Sequence, residues 1–563
     1  MSARTRSVSL PVMAATQTDL AEPGRGQPAA SLVDIPYRQK LLVVAGLTIT
    51  LFVATMNQTV VATAAQNIVA DIGGFDRFVW LFAGFSLAAT AAVPVVGKLS
   101  DIAGRKLVLI GSVIFFMVTS AAAGVSMNMT QLIVARVLQG AAFAGVMGSV
   151  WIIMAALWAP SERAKWMGVA TVGFTLSGVM GPIFGGIVSD TLTWRWVFFI
   201  NIPSGFVSLV VLWIWFPNVA PGKREGRLDL MGAAFFAGAS TALLLALTWG
   251  GRDYAWDSPR ILSLIVGSLA AFAVFARVEL RVDDPMLPLN LFSHRVFALG
   301  WLASLTTTST FIAITAFQPL FVQGVLGKSA TSAAIPLVAL AIGVAVGANV
   351  SGQILSRRGY PRMLGMTGLS ISTAALLMMS ALGSSSSLWA LFATTGFLGF
   401  GMSFGFTAFT VPVQNAMPIS ILGVVTSTLQ FGRMFGQAAG SAVFGAVLFA
   451  SVAVSIVGLN EDSPQIRITD PEMIVAVDRL AEIRNDYSLD PELGEERFRA
   501  DLATSRDNLA KGLANVFRLA AAFSLFGVVL AWFTFPHGVS GTASGGNRRK
   551  NAPAADTADR MFS

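Results

Sequence analysis

Two arginines stand where an arginine is costly. Arg136 and Arg433 are the basic residues that lie well inside long apolar runs of this 563-residue chain. A guanidinium taken out of water has to face a hydrogen-bonding partner or a wet cavity. Asn57, Gln58, Gln139, Gln318, Gln323, Gln414 and Asn415 lie in or at the ends of comparable runs, with Trp151 and Phe317 among them. Aromatic and apolar surface with a few amides binds lipophilic molecules; it does not make or break bonds. No Asp or Glu falls near the middle of a run, and Asp71, Asp190, Asp229 and Glu279 sit near run ends. The two histidines, His294 and His537, lie outside the runs, and cysteine is absent. Disulfides, thiolate metal sites and a cysteine nucleophile are therefore excluded, and an imidazole zinc site has no ligands to draw on. No Gly-x-x-x-x-Gly-Lys-Ser/Thr phosphate loop is present, which argues against a built-in nucleotide motor. The expected chemistry is recognition and ion balance: no enzyme, no metal and no cofactor.

The elements that hold these residues are apolar. Hydrophobic side chains make up 54% of the chain and charged ones 12%, with a mean hydropathy of +0.69. A soluble chain carries about a quarter charged residues. A soluble enzyme, a nucleic-acid binder and a disordered scaffold are excluded; the chain belongs in a bilayer. The net charge of +8 reflects basic loops rather than a nucleic-acid partner. A helix crosses the hydrocarbon core with about twenty apolar residues. Runs of that size number fourteen: 41–70, 78–97, 107–127, 130–157, 164–188, 197–216, 229–249, 260–280, 296–322, 331–355, 363–383, 387–411, 420–457 and 514–535.

An even count puts both ends on one side. Lys98, Arg105, Lys106, Arg163, Lys165, Lys223, Arg357 and Arg358 fall in the loops of that side, and the opposite short loops hold Arg77, Arg195, Arg252, Arg260 and Lys328. The positive-inside rule then makes both tails cytoplasmic, in a plasma (inner) membrane. The expected division is a disordered tail at 1–40 without a signal peptide, a six-helix half at 41–217, and two inserted helices at 218–290. A second half follows at 291–536, with an external loop at 458–513, and a tail at 537–563. Within that loop Met473–Ile483 has the pattern of a short amphipathic helix.

An internal repeat accounts for the insertion. The connection between the second and third runs carries Gly97, Asp101, Gly104, Arg105 and Lys106; that between the tenth and eleventh carries Gly352, Arg357, Arg358 and Gly359. Both place two glycines seven apart beside basic residues, so runs 1–6 match runs 9–14. Repeated halves with a path between them are a transporter architecture. The fourth run holds Arg136-Val137-Leu138-Gln139-Gly140 and the fifth holds Gly178, Gly181, Pro182, Gly185 and Gly186. Trp194 to Pro203 reads Trp-Arg-Trp-Val-Phe-Phe-Ile-Asn-Ile-Pro, and Phe431-Gly432-Arg433-Met434-Phe435-Gly436 follows in the thirteenth run.

These motifs, in this order, resemble the major facilitator superfamily, in particular its fourteen-helix drug:proton antiporter branch of multidrug efflux permeases. The resemblance covers roughly residues 45–455 and the last helix. It implies an all-α membrane protein of two six-helix halves with two extra helices between them. It also implies a monomer that exports small lipophilic substrates from the bilayer, with the proton as coupling ion. Gly97 to Lys106 becomes a gate, in which Asp101 faces the N-terminus of the thirteenth helix, where exposed N–H groups favour an anion. The fifth-run glycines and Pro182 become an antiporter hinge. The cavity walls include Asn57, Gln58, Gln139, Trp151, Phe317, Gln318, Gln323, Gln414 and Asn415, with Arg136 as an anchor near Asn57 and Arg433 tying the thirteenth helix to its neighbours.

One departure matters. Family members often carry Leu-Asp-x-Thr-Val-Val in the first helix, with that Asp implicated in proton coupling; this chain reads Met56-Asn57-Gln58-Thr59-Val60-Val61. An amide cannot titrate. Asp190, Asp71 or Asp229 could take its place, or the chain is a lipid or secondary-metabolite carrier not coupled through a helix-1 carboxylate.

Overall fold

A computed structural model describes residues 35–534 apart from 65–67, 69–70, 74–79, 218–228, 251–253, 283–284, 286, 329, 419–420, 458–483 and 485–493. Each of the fourteen apolar runs falls on a helix: α1 Tyr37–Thr63, α2 Trp80–Ala103, α3 Arg105–Gly124, α4 Met129–Leu157 and α5 Pro160–Thr191. A one-turn helix, Trp196–Phe199, leads into α6 Asn201–Trp215, followed by α7 Leu230–Trp249 and α8 Pro259–Glu279. The second half comprises α9 Arg295–Leu320, α10 Ala330–Arg358, α11 Pro361–Ser380, α12 Leu388–Asn415, α13 Leu422–Val457 and α14 Gly494–Thr534. Among the described residues, eleven helical segments are long and apolar enough to cross a membrane.

Local chemistry sets the helix ends. Asn128, Asp229 and Ser387 accept hydrogen bonds from Gln131, Gly232 and Ala390 backbone N–H groups, capping α4, α7 and α12. Pro160, Pro259 and Pro361 open α5, α8 and α11, where the missing N–H costs nothing. Gly104 at φ 93° and Gly359 at φ 65° make the paired turns of the repeat. Those turns are shorter than the sequence suggests: Gly97 and Asp101 lie in the last two turns of α2, and Gly352 to Arg358 belong to α10. The motifs are helix ends rather than loops.

Boundaries move in two further places. The chain is already helical at Tyr37, so Lys40 belongs to α1, where its ammonium lies 5.0 Å from the Trp158 ring. At the other end, 494–513 is not loop but the first half of α14, docked through buried Phe498, Leu509 and Leu513 onto the second half. Asp507 accepts from the Ser384 hydroxyl at 3.0 Å there. Burial of these apolar side chains overrides a charge pattern that reads as solvated loop. The tails, the Lys223 loop and Met473–Ile483 lie outside the described residues.

Two large cores hold the helices. One gathers Val43, Leu47, Phe143, Met154 and Trp158 and continues to Leu355 and Phe404 of the second half, and the other gathers Phe321, Met379, Phe444 and Phe517. The α7–α8 pair packs across the seam: Phe236 of α7 lies with Val93 of α2, and its ring is 4.8 Å from that of Phe431 on α13.

Candidate functional site

The two halves meet through a reciprocal pair of contacts. Gly97 of α2 is so close to α13 that a Cβ there would fall 2.0 Å from the Ser427 hydroxyl. Gly352 of α10 meets α5 in the same way, 2.8 Å from the Ala164 carbonyl. Under the repeat read from the sequence, α10 and α13 correspond to α2 and α5, and the two contacts then exchange. The Asp101 carboxylate lies against Gly423 in the first turn of α13, where a Cβ would sit 2.1 Å from its Oδ1. Backbone N–H groups at a helix start attract that charge. Arg163 Nη1 donates to Asn415 Oδ1 at 2.8 Å, adding a tie from α5 to α12 at the same end. Lys106 does something else: it donates to the Trp213 carbonyl at 3.0 Å and to that of Phe216, closing the C-terminus of α6.

Between the same helices lies a cavity with walls from both halves. Gln58 of α1, Met147 and Trp151 of α4 and Phe174 of α5 face Phe311 of α9, Phe406 and Thr410 of α12, and Gln430, Arg433 and Gln437 of α13. The polar side of α13 is a helical stripe, since positions 430, 433 and 437 share one face. That periodicity was the available signal for Gln430 and Gln437, which sequence reasoning missed. Arg433 donates to Gln430 Oε1 at 3.1 Å and to the Thr410 hydroxyl, and its guanidinium lies 5.3 Å from the Phe406 ring and 5.8 Å from Trp151. Its Nε has no acceptor among the described residues.

Arg136 is placed elsewhere. It is 1% exposed and stacked 4.3 Å from the Phe85 ring, inside the first half. Its Nη1 donates to Asn57 Oδ1 and Gln139 Oε1, each at 2.7 Å, and Nε donates to the Leu81 carbonyl at 3.3 Å. Gln139 Nε2 donates in turn to Ser120 Oγ at 2.5 Å, which also accepts from Asn201 Nδ2 at 3.2 Å. This network joins α1, α2, α3, α4 and α6. Gly140 completes the motif, because a Cβ there would fall 2.2 Å from the Phe85 carbonyl.

Of the expected wall residues, Gln58 and Trp151 line the cavity, and Arg433, expected to tie the thirteenth helix to its neighbours, lines it as well. The others are engaged in packing. Asn57 and Gln139 hold Arg136; Gln318 is fully buried and donates to Thr395 Oγ1 at 2.7 Å. Gln414 donates to Thr426 Oγ1 at 3.1 Å, Asn415 holds Arg163, and Gln323 reaches the Pro319 carbonyl at 3.5 Å in a π turn. Phe317 packs against the second core. A buried amide satisfied by a neighbouring helix is equivalent in sequence to one facing a cavity, and packing alone separates them. The tightest glycine contacts of α5 lie before the expected hinge. Gly178 has no atom within 4 Å of where its Cβ would be, whereas Gly173 would meet Thr48 Cγ2 at 2.6 Å and Gly168 the Ala348 carbonyl at 3.0 Å. Gly181 and Gly185 are buried; the side chains at Pro182, Gly186 and Asp190 lie outside the described residues.

Two candidate acids have structural partners. Asp71 accepts from Arg195 Nη1 at 2.5 Å and from the Trp194 indole at 2.9 Å, fastening the stretch after α1 to the turn before Trp196–Phe199. The Arg195 hydrogen bond, then that of Trp194, holds its carboxyl below the usual carboxylate range, so it stays ionised near neutral pH. Asp229 caps α7 through the Gly232 N–H at 2.8 Å. No group of metal-ligating side chains occurs among the described residues.

Comparison with known proteins agrees with this architecture. Multidrug resistance protein 3 of Bacillus subtilis (strain 168) is 33% identical over 408 residues, covering 72% of this chain and 79% of its own length. Multidrug transporter protein MdtP of the same organism is 33% identical over 416 residues, 73% of this chain and 76% of that protein. Among solved structures, the human organic anion transporter MFSD10 (TETRAN) superposes with a TM-score of 0.57 over 88% of this chain and 100% of its own, at 14% identity, a likeness of fold. The model of the Major Facilitator Superfamily matches residues 47–441. A multi-pass helical membrane protein that this model matches over most of its length, the chain belongs to the Major Facilitator Superfamily of transporters.

Proposed function

We propose that the protein is a monomeric secondary active exporter of hydrophobic and amphiphilic compounds, working by alternating access and driven by the proton gradient. In this reading it spans the plasma membrane fourteen times, with both termini cytoplasmic, as two six-helix halves with α7–α8 inserted between them. The carrying observation is one cavity with walls from both halves, above a seal made by Gly97, Asp101 and Gly352 at the end that bears the basic loops. A cavity sealed at one end by repeat-related contacts reaches the other side if those contacts part and their counterparts form. The relatives named as multidrug proteins support the substrate class. The glycines around Pro182 serve as the hinge.

With an amide at Asn57, Asp71 held by Arg195 and Asp229 capping α7, Asp190 is the remaining candidate for the coupling acid. A second reading, an uncoupled lipid or metabolite facilitator, draws on the Arg136 network, in which the neutral Asn57 stands where a titrating acid is expected. Flux of anionic, neutral and cationic lipophilic dyes in proteoliposomes, with and without an imposed pH gradient, decides between them. Gradient-driven flux that fails in Asp190→Asn supports proton antiport. Flux indifferent to the gradient overturns it in favour of the facilitator, and no flux of any dye sinks the exporter reading.

A further inference from the structure

We infer that the central cavity selects amphiphiles bearing one negative charge, and that Arg433 is the residue that reads it. The inference rests on the exporter reading and names its substrate class. Arg433 lines the cavity, and no acidic residue lines it among the described residues. The partners of its guanidinium are neutral: the Gln430 amide oxygen, the Thr410 hydroxyl and the faces of Phe406 and Trp151. They satisfy hydrogen bonds and leave the charge uncompensated, with Nε still without an acceptor. The second internal arginine marks the contrast. Arg136 directs Nη1 and Nε to three oxygens in a closed network, and a ligand in the cavity does not reach it.

A buried positive charge is costly without a counter-charge, and a carboxylate or sulfonate arriving on the substrate supplies one by charge-assisted hydrogen bonds. A cationic substrate adds repulsion in a site with no acid to offset it. The rest of the wall, Phe143, Met147, Phe174 and Phe311, takes the apolar body. The anion is assigned to a free small molecule rather than to a lipid headgroup, because both halves enclose it.

The test compares three probes with one body: 1-pyrenebutyrate, 1-pyrenebutanol and 1-pyrenebutyl-trimethylammonium. Binding to the full chain is measured in phosphatidylcholine nanodiscs, with empty nanodiscs as blank. The butyrate should bind at least ~10-fold tighter than the alcohol, an advantage of about 1.4 kcal/mol, and the ammonium more weakly than either. Arg433→Gln should abolish the preference, bringing the butyrate's affinity to within about twofold of the alcohol's, since a hydrogen-bonding side chain remains and only the charge is lost. If that variant misfolds, Gln437→Glu places a carboxylate one turn away and should reverse the order in favour of the ammonium. Equal binding of butyrate and ammonium by the wild type, or a preference that survives Arg433→Gln or Gln437→Glu, overturns the inference. Phosphatidylglycerol in the nanodisc that displaces the butyrate would overturn it in favour of a lipid headgroup. Flux without charge preference leaves the exporter reading standing; absence of all binding and all flux removes both.

Discussion

The two internal arginines differ in what surrounds them, and their replacement should separate stability from recognition. Arg136→Leu leaves Asn57 Oδ1 and Gln139 Oε1 without their donor. Each orphaned buried acceptor costs about 1–3 kcal/mol. The thermal midpoint of the purified protein should fall by several degrees and flux should fall with it, while the affinity of the folded fraction for ligand stays unchanged. Arg433→Gln should do the reverse, altering affinity and leaving the midpoint nearly unmoved. A midpoint unchanged in Arg136→Leu would remove the network from the account of the first half's stability. The sequence showed that both arginines needed partners, because apolar runs surround them. It did not show which partners, because Asn57 lies 79 positions from Arg136 and only folding joins them.

Among the helices, the repeat-related contacts of α2 with α13 and α5 with α10 decide which end of the cavity is closed. A Cβ at Gly352 would fall on the Ala164 carbonyl, an oxygen of a helix backbone with no side chain to move aside. Gly352→Val should therefore disfavour the sealed state. A bias of about 1.4 kcal/mol changes the ratio of states tenfold. Because the chain has no cysteine, a single Thr407→Cys in the cavity wall reports access cleanly. In the Gly352→Val background it should react with a membrane-impermeant maleimide from the basic-loop side at a rate raised about tenfold. An unchanged rate would mean that Gly352 is a packing glycine rather than part of a seal. The glycine spacing was legible in the sequence because the two turns repeat. The reciprocal pairing was not, since nothing local says which helix a glycine approaches.

At the scale of the molecule, transport by exchange of access requires the sealed end to open in every cycle. Arg163 and Asn415 face each other across the halves at that end. Arg163→Cys combined with Asn415→Cys, bridged by a short bifunctional methanethiosulfonate, should stop flux completely, and a reducing agent should restore it. Flux that continues through the bridged protein would place the path somewhere other than between the halves. The α7–α8 pair bears on the same motion, because Phe236 packs on Phe431 across the seam.

What the amino-acid order alone determined about this protein is its membrane character, its helices and its repeat. Apolar run length, helix-capping residues and paired Gly-rich turns are local quantities, and Gly104 and Gly359 take the positive φ that their turns demand. Tertiary structure decided which polar residues face the cavity. Gln58 lines it, whereas Gln318 and Gln414 donate to threonines within the second half, though all three are amides in apolar helices. It also made a docked helix of 494–513, where buried Phe498 and Leu509 outweigh the surrounding charge. A side chain's type sets what it must bond to, and only the packing of distant helices sets where that bond is found.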